Sequence, residues 1–491
     1  YKSAIINGKN VIKLDSIKNP LSYFNLALAH DLNNDFKKAI ELYKIVETLN
    51  FKEKRILFNN LAKCYLISEN IIEAKNYYLK ALEFDQDDKV ILNNLLILYL
   101  RIGEKDKSEY FYKKAKKIDE NYIEFRLNES EYFFSKNNIQ KSIGILQSII
   151  NKTKNYIAYS KLAKIYSTTN NQKEAIETIE EALTVYPNRK DLKFTRGIMY
   201  LIDGEFEKGW EFYEYRDLTN PDISFNNITK WNGEDLKDLS ILVTCEQGLG
   251  DILQFSKFLM NLSPMCKKID FLLYDKLIPI YKKKIQNIKV CEKKEIMESN
   301  YDYQISLGSL NKYFYKSKNS KSSDLINFDN NKKNISNSIL LSEKRNIGLV
   351  WSGNFFGPKE PSRSVKIKNF QKILGLDLNF YSFQNEIWFR DKEFFNNSNI
   401  KDLSKKSFSE IIGIIQNLDL VISTDTFFLH LSCICGKETW GLIPLNADWR
   451  WYEYYKHNPY KTLKIYKQND YKSWDNVIQN VHSDLKNKFN I

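Results

Sequence analysis

The sequence predicts a helical repeat array followed by a doubly wound α/β region, and two observations carry this prediction. Small side chains recur at intervals of 33 to 35 residues through the first two hundred residues. Beyond Pro221, short apolar runs alternate with amphipathic stretches, as strands and helices do in a parallel sheet. At 491 residues the chain is too long for one hydrophobic core, so two or three domains are expected.

Composition narrows the class of protein. The formal net charge is +13, but the 74 lysines and arginines are scattered among 61 acidic residues rather than gathered in a stripe. Because no zinc-finger, RNA-recognition or basic-helix signature accompanies them, we expect no nucleic-acid partner. No run approaches the ~18 consecutive apolar residues of a membrane helix, so no membrane span is expected.

The six cysteines form no CxxC pair and no regular framework. This favours free thiols in a reducing compartment, and a cytoplasmic location is expected. Cys433 and Cys435 form a C-x-C without further ligands at zinc-finger spacing, so no metal site is expected. Because the chain begins at Tyr1 rather than Met, we expect an upstream segment.

Two positions define the repeat. The first is small in every unit and comprises Ala39, Ala74, Ser108, Ser142, Ala175 and Gly209. The second lies twelve residues earlier and comprises Ala27, Ala62, Leu96, Ser130, Ala163 and Gly197. Small residues let two antiparallel helices approach closely, and the aromatic residues that follow both positions fill the groove between hairpins. The pattern therefore predicts six helix-turn-helix units between residues 20 and 218.

This pattern resembles the tetratricopeptide repeat, and Pro187 stands at the closing position of that family. We assign residues 1–222 to this domain, with residues 1–19 as part of an earlier unit. An array of this kind carries no chemistry of its own but offers a concave surface that suits an extended peptide or a partner helix. The expected partner is therefore a protein, with self-association or a spacer role as the alternative.

Two Rossmann-like units in tandem, with a cleft between them, are predicted for the α/β region. The first, residues 223–340, contains the apolar runs LSILVT, KIDFLLY and YDYQISL. The second, residues 341–491, begins with NIGLVWSGN and continues with LNFYSFQ, DLVISTDT and ETWGLIP. Residues 311–340 are rich in Lys, Ser and Asn and predict a flexible interruption. The last amphipathic segment, residues 474–489, predicts a helix that packs back across one of the units.

Three strand-to-helix junctions carry the candidate site residues, because ligands in open α/β sheets bind beyond the carboxyl ends of the strands. In the first junction, Gly248 and Gly250 let a bulky ligand approach the backbone closely. Asp251 follows them and either caps the next helix or takes part in catalysis.

The second junction is WSGN, residues 351–354, whose small side chains leave room for an anion. Arg363 follows with a guanidinium able to grip a phosphate through two hydrogen bonds. The third is STDT, residues 423–426, where a helix starts and His430 points toward the same end of it. Helix N-termini attract phosphate, and the imidazole of His430 adds a hydrogen-bond donor to such a site. The alternative is that His430 is a buried structural histidine.

Together the three junctions resemble one family. GLGDILQF, GLVWSGN with the later Arg363, and LDLVISTDTFFLHLS are similar, in the same order, to motifs of the bacterial lipopolysaccharide heptosyltransferase superfamily. The resemblance is strongest to the branch of that superfamily with amino-terminal tetratricopeptide repeats, and IPLNADWRWY, residues 443–452, also resembles that branch. The resemblance spans residues 205 to about 470.

The resemblance implies the two-Rossmann glycosyltransferase fold called GT-B, a nucleotide-sugar donor in the cleft, inversion at the anomeric carbon, and no metal or other cofactor. Carried over position by position, Asp251 matches the catalytic base. The implied donor-binding residues are Gly248, Gly250, Ser352, Asn354, Arg363, Gln384, Asp425, Thr426 and His430. One departure is Phe427 and Phe428, where the family has small residues, and their bulk is expected to reshape the phosphate pocket.

The expected function is that of an inverting, metal-independent glycosyltransferase. It would move a sugar to Ser or Thr of a protein recruited by the repeats, as in similar transferases that modify flagellin. The first Rossmann-like unit would bind the acceptor and the second the nucleotide sugar. Two alternatives stay open, namely a glycan or lipid-linked acceptor, and a tetratricopeptide scaffold whose transferase half is inactive. The sequence leaves the sugar, the nucleotide, the acceptor and the oligomeric state open.

Overall fold

A computed structural model of the protein shows two compact units, Tyr1–Leu162 and Ala163–Ile491. The structure describes residues 2–14, 18–68, 70–216, 225, 227–246, 248–282, 284–317, 322–326, 328, 344–354, 362–456, 460–470 and 473–491.

Helices and short turns fill the described part of the chain from residue 2 to residue 213. The helices are α1 (Lys2–Leu14), α2 (Pro20–Leu32), α3 (Phe36–Thr48), α4 (Lys54–Ile67), α5 (Ile71–Phe84), α6 (Lys89–Ile102), α7 (Lys105–Ile118), α8 (Ile123–Ser135), α9 (Ile139–Thr153), α10 (Tyr156–Thr168), α11 (Gln172–Val185), α12 (Lys190–Asp203) and α13 (Phe206–Tyr213).

The predicted small residues lie where paired helices touch. In the first unit, the hydroxyl of Ser142 in α9 donates a hydrogen bond of 2.7 Å to the carbonyl of Ser130 in α8. In the second unit, a Cβ on Gly197 of α12 would lie 2.9 Å from the carbonyl carbon of Phe212 in α13. These approaches leave no room for larger side chains, and the predicted helical repeat array is confirmed.

The turns inside five of the hairpins take a residue with positive φ at the same place among the described residues. These residues are Asn34, Gly103, Asn137, Asn170 and Gly204, with φ between 61° and 88°. Glycine adopts this left-handed conformation without a Cβ penalty, and asparagine tolerates it better than most residues. The chain therefore ends one helix and begins the next at the same place in each of these repeats.

The α/β region alternates strands with helices. Its strands are β1 (Thr229–Lys230), β2 (Ser240–Thr244), β3 (Lys268–Leu272), β4 (Lys284–Ile285), β5 (Ile288–Cys291), β6 (Tyr303–Ser306), β7 (Asn346–Val350), β8 (Asn379–Ser382), β9 (Lys401–Asp402), β10 (Leu420–Thr424), β11 (Thr439–Ile443) and β12 (Leu463–Lys467). Its helices are α14 (Leu249–Phe255), α15 (Leu259–Leu262), α16 (Leu310–Phe314), α17 (Gln371–Leu374), α18 (Phe389–Asn396), α19 (Phe408–Asn417), α20 (Phe427–Ile434), α21 (Trp449–Lys456) and α22 (Asp475–Phe489).

These strands form two sheets, each six-stranded over the described residues. The first has the order β1-β6-β2-β3-β5-β4 and is parallel except for the β4–β5 pair. The second has the order β12-β11-β10-β7-β8-β9 and is parallel throughout. The strand order reverses between β2 and β6 in the first sheet and between β7 and β10 in the second, as in doubly wound folds. The predicted α/β region with parallel sheets is therefore confirmed.

The carboxyl-terminal helix α22 packs back on the second sheet. Its Val481 and Leu485 are fully buried and share a hydrophobic cluster with Ile347 and Leu349 of β7. This is the arrangement that the amphipathic pattern of the segment predicts, because its apolar residues fall on one face of the helix.

The predicted flexible interruption, residues 311–340, is in part packed structure. Residues 311–314 complete helix α16, and Leu325 and Ile326 are buried in the core of the first sheet. The prediction is wrong for these residues because their apolar side chains reach that core despite the polar composition around them. Residues 318–321, 327 and 329–340 of the interruption lie outside the described residues.

The last repeat hairpin, α12 and α13, packs on the α/β region within the second unit. The ring centroid of Trp210 in α13 lies 4.9 Å from that of Trp449 in α21, with the planes at 86°. Tyr213 also faces Trp449, with centroids 6.0 Å apart. The predicted boundary between residues 222 and 223 groups this hairpin with the repeats, whereas its ring contacts join it to α21.

Gly197→Ala is expected to lower the free energy of unfolding by about 1–3 kcal/mol, because the new methyl group would meet the backbone of Phe212. The matched control is Gly144→Ala in α9, where nothing lies within 4 Å of the new Cβ. There the higher helix propensity of alanine should raise stability by about 1 kcal/mol. Urea unfolding followed by circular dichroism measures both, and stabilisation by both substitutions would contradict the close approach of α12 and α13.

Candidate functional site

The three predicted junctions follow central strands of the two sheets. Gly248 comes after β2, Ser352 after β7, and Asp425 after β10. Strands β7 and β10 are hydrogen-bonded neighbours, with Ser423 in register with Val350. The second and third junctions therefore meet at the carboxyl edge of the second sheet, where ligands bind in doubly wound folds.

Helix α14 of the first junction lies against helix α20 of the third. A Cβ on Gly250 would stand 3.2 Å from Cδ2 of His430 and 3.7 Å from Cα of Phe427. Asp251, the next residue of α14, is carried to the same contact. The first junction, which follows a strand of the first sheet, is therefore in contact with the third junction, which follows a strand of the second.

Arg363 links the second junction to the third. Its guanidinium packs over Gly353 so closely that a Cβ at that position would overlap it. Its Nη1 donates a hydrogen bond of 3.3 Å to the backbone carbonyl of Asp425. The positive charge is thus placed at the edge of both junctions.

The loop after β7 is held by side-chain hydrogen bonds. The amide of Gln384 accepts from the backbone N–H of Ser352 over 3.2 Å and donates to its carbonyl over 2.8 Å. Trp388 Nε1 donates to the carbonyl of Gly353, and Ser364 Oγ accepts from the N–H of Gly353, each over 3.2 Å. Gln384, which the resemblance places among the donor-binding residues, therefore contacts the loop backbone and fixes its shape.

Two polar side chains of this loop differ in their surroundings. Ser352 Oγ is buried and has no hydrogen-bond partner among the described residues. Asn354, two residues later, is exposed. A buried hydroxyl without a partner costs about 1–3 kcal/mol, so a ligand that pairs with Ser352 would recover this energy.

Asp251 forms an ion pair with Arg450. Arg450 Nη2 lies 2.8 Å from Asp251 Oδ1, and 26% of the Asp251 side chain remains exposed. Burial raises the pKa of Asp251 to about 6; Arg450 acts to lower it, while the carboxylates of Asp448, Asp425 and Glu246 add to the rise. Asp251 is therefore a carboxylate whose proton affinity lies close to neutral pH.

His430 is a buried, neutral imidazole. Its Nδ1 lies 3.2 Å from the hydroxyl of Tyr460, and its ring stacks on Trp451 with centroids 5.7 Å apart. Its Nε2 lies 4.0 Å from Oδ1 of Asp425. Burial lowers the pKa of His430 to about 4, although Asp425 acts in the opposite direction. At pH 7 the ring therefore offers hydrogen bonds without a charge.

Phe428, which was expected to reshape a phosphate pocket together with Phe427, lies in the hydrophobic core, and Phe427 is partly buried against that core. The ring of Phe428 is buried against Phe383, with centroids 5.7 Å apart. Phe427 packs on Phe408, with centroids 4.8 Å apart. The bulk of both residues is accommodated by neighbouring aromatic rings.

A cavity of about 500 Å³ opens beside the first junction. Its lining residues come from the carboxyl ends of the adjacent strands β2 and β3, and are Gly248, Leu249, Tyr274, Asp275 and Lys276. Oδ2 of Asp251 would stand 3.5 Å from a Cβ on Gly248, so the carboxylate lies next to this cavity.

Glu246 is a second buried carboxylate at the point where the strand order of the first sheet reverses. Its Oε1 accepts hydrogen bonds of 2.8 Å from Arg216 Nη2 and 3.1 Å from the N–H of Gly308. Burial raises the pKa of Glu246, with Arg216 acting to lower it. Because Gly308 follows β6, Glu246 joins the ends of the two central strands.

Sequence reasoning missed Arg450, Glu246, Tyr460 and Trp388. Arg450 stands in IPLNADWRWY, a stretch singled out for its resemblance but given no role. Its partner Asp251 is distant in sequence, so their contact is visible only in the fold.

Among the residues that the structure describes, no group of three or more His, Cys, Asp and Glu side chains is placed to hold a metal ion. Over the same ranges, no helix combines the length and apolar character that crossing a membrane requires.

The arrangement offers two kinds of chemistry across one contact. Asp251 has a pKa that suits a proton acceptor near neutral pH. Opposite it, the Arg363 guanidinium, the His430 imidazole and the first turn of α20 are groups that stabilise negative charge. The site is therefore suited to a transfer in which one partner loses a proton and the other becomes an anion.

Comparison with known proteins identifies the repeats. The family model of the tetratricopeptide repeat matches residues 57–88 and 156–189, which fall on α4–α5 and α10–α11. The chain therefore contains tetratricopeptide repeats.

Similar proteins include Protein FlbA from Caulobacter vibrioides, which is 28% identical over 106 residues, or 20% of this chain and 18% of FlbA. The chain thus matches less than a fifth of the length of FlbA. A solved tetratricopeptide repeat protein from Parabacteroides merdae is 20% identical with a TM-score of 0.39, covering 43% of this chain and 84% of that one. The tetratricopeptide protein TTC0263 from Thermus thermophilus is 15% identical with a TM-score of 0.34, and the match covers 37% of this chain and 100% of that one.

Proposed function

We propose that this protein is an inverting glycosyltransferase of GT-B architecture. It moves a sugar from a nucleotide-sugar donor to a Ser or Thr hydroxyl of a protein that the repeats bind. The observation that carries the proposal is the contact of α14, which follows a strand of the first sheet, with α20, which follows a strand of the second. This contact places Gly250, the neighbour of Asp251, against His430. A donor bound between two such sheets has its reacting carbon next to groups from both.

Asp251 is the proposed general base. The acceptor oxygen attacks the anomeric carbon and its proton passes to the Asp251 carboxylate. The bond from that carbon to the nucleotide phosphate breaks, and its electron pair stays on the phosphate. With a pKa of about 6, the carboxylate is mostly ionised at pH 7 and still basic enough to assist. Attack from the face opposite the leaving group inverts the anomeric centre.

The leaving phosphate is proposed to lie on the second sheet. Arg363 supplies a positive charge, and Thr426, the N-cap residue of α20, makes no side-chain capping bond, so that side chain does not occupy the N–H groups at the start of the helix. His430 and Ser352 add uncharged donors. Charge on the departing phosphate is then stabilised by fixed protein groups, so the proposal needs no metal ion.

The acceptor is proposed to enter from the first sheet. The cavity of about 500 Å³ that Tyr274, Asp275 and Lys276 line lies beside Asp251, which suits a hydroxyl carried on a short segment of polypeptide. Tetratricopeptide arrays bind polypeptides on an extended surface, which supports a protein acceptor over a glycan or lipid-linked one. Flagellin is one candidate acceptor, by the resemblance to transferases that modify it.

A second candidate is a tetratricopeptide scaffold whose transferase half does not turn over. The repeats support it directly, because such arrays bind partners without chemistry. The ion pair of Asp251 with Arg450 also favours it, since a carboxylate neutralised by a guanidinium is a weaker base. The raised pKa of Asp251 favours the enzyme, because the paired carboxylate keeps its affinity for a proton.

Donor binding is tested by thermal shift with UDP, GDP, ADP, CMP and their sugar conjugates, because a ligand that binds the native state raises its stability. Gly353→Ala should displace Arg363 and weaken nucleotide binding by about 1.5–3 kcal/mol, roughly tenfold or more. The matched control Gly375→Ala, where the nearest atom lies at 3.6 Å, should respond like the wild type. A wild-type protein that responds to none of these ligands would favour the scaffold.

Asp251→Asn should reduce transfer ~10²–10⁴-fold, because the amide keeps the size of the side chain but accepts no proton. Nucleotide affinity should stay within a few-fold. Mass spectrometry of the acceptor protein measures transfer, and Asp377→Asn, an exposed carboxylate with 71% of its side chain accessible, is the control. Normal turnover of Asp251→Asn would remove it from the role of base.

A chain of residues 163–491 should keep the thermal response to the nucleotide, because the proposed donor site and the last repeat hairpin lie within this unit. Modification of the protein acceptor should fall at least roughly tenfold, since most of the repeat surface is removed. Hydrolysis of the donor by water, followed in parallel, controls for damage to the site. Equal modification by both chains would show that the first unit does not select the acceptor.

A further inference from the structure

The guanidinium of Arg450 forms ion pairs through both terminal nitrogens and also packs against aromatic rings. Its Nη2 lies 2.8 Å from Asp251, and its Nη1 lies 2.5 Å from Asp448. The guanidinium carbon stands 4.5 Å from the ring centroid of Trp449 and 5.3 Å from that of Phe255. With 13% of its side chain exposed, Arg450 has little freedom to move independently of the residues around it.

The residues around Arg450 are themselves anchored. Trp449 is buried between Phe255 of α14 and the rings of Trp210 and Tyr213 in the last repeat hairpin. Phe255 belongs to the same helix as Asp251. One aromatic cluster therefore sets the position of Arg450 relative to the carboxylate with which it pairs.

We propose that Arg450 is the positioning residue of the Asp251 carboxylate, which it holds ionised and oriented for proton transfer. This inference rests on the proposed function, in which Asp251 is the base. It assigns a role to the stretch ADWRWY, which follows strand β11 of the second sheet and contacts the first junction through Arg450.

The charges around Asp251 explain why a positioning cation is required. Burial and three neighbouring carboxylates all oppose ionisation of Asp251, and these carboxylates are Asp448, Asp425 and Glu246. Arg450 is the cation that lowers the pKa of Asp251, while His430 across the contact is neutral at pH 7. An opposite charge within a few Å lowers the pKa of an aspartate by about 1–3 units. Without Arg450, about half or more of the Asp251 carboxyls would hold a proton at pH 7 and would be unable to accept another.

The transfer rate measured against pH tests this role. The wild-type rate should rise as pH passes about 6, because Asp251 must lose its proton to act. Arg450→Met should move this midpoint upward by about 1–3 pH units, and a two-unit shift lowers the rate at pH 7 roughly tenfold. Arg450→Lys should restore part of the shift, because lysine supplies the charge without the planar fork.

The same Arg450 variants distinguish a role in positioning Asp251 from a role in binding the donor. In Arg450→Met the KM for the donor should stay within a few-fold while kcat falls. A raised KM with an unchanged pH midpoint would overturn the proposal in favour of a phosphate-binding arginine. The control is Arg345→Met, an exposed arginine paired with Asp419 in the same α/β region, which should match the wild type.

A second measurement needs no turnover. The carboxyl of Asp251 loses its proton near pH 3.8 in the unfolded chain but near 6 in the fold, so its contribution to stability falls as pH rises between these values. The difference in Tm between wild type and Asp251→Asn should show this fall. In the Arg450→Met background the fall should extend to higher pH, and identical profiles in both backgrounds would overturn the proposal. If no donor supports transfer, the proposed function fails, and this profile still reports whether Arg450 acts on Asp251.

Discussion

The close approach of α14 and α20 is the constraint on which the candidate site depends. Gly250 leaves no Cβ between the helix and His430, so two helices from different sheets come into direct contact. Asp251, one residue later, then faces groups that follow a strand of the second sheet. The Asp251 side chain is 26% exposed in this setting, and desolvation by partial burial is the largest influence on its pKa.

Aromatic packing extends this constraint to the repeats. The rings of Trp210 and Tyr213 end the last hairpin and meet Trp449, whose neighbour Arg450 pairs with Asp251. Buried aromatic side chains contribute large apolar areas and prefer defined ring geometries, so this cluster has little freedom to rearrange. The last hairpin therefore packs on the α/β region and also ends the repeat array, so the two parts of the chain share one aromatic cluster.

Periodic features were readable from the sequence, and long-range pairings were not. The small residues at Ser130 and Ser142 and the junctions at Asp251 and Asp425 were predicted because each reflects a local rule of helix packing or strand termination. Gln384 was expected only as a donor-binding residue, and its hydrogen bonds to the Ser352 backbone depend on the path of the loop, which the sequence does not show. The buried part of residues 311–340 was missed because composition describes an average, whereas burial depends on single apolar residues.

The sequence by itself determined the repeat period, the alternation of strands and helices, and the residue types available at each strand end, since these follow from hydrophobic spacing and backbone preference. Only the tertiary structure decided which of those residues meet. Arg450 pairs with Asp251, burial keeps His430 neutral, and Phe428 packs into the core, because these outcomes depend on distances and desolvation between segments far apart in the chain. The electrostatic energy of two charged groups depends on the distance between them and on the local dielectric. Neither quantity can be read from the spacing of residues along one strand or helix.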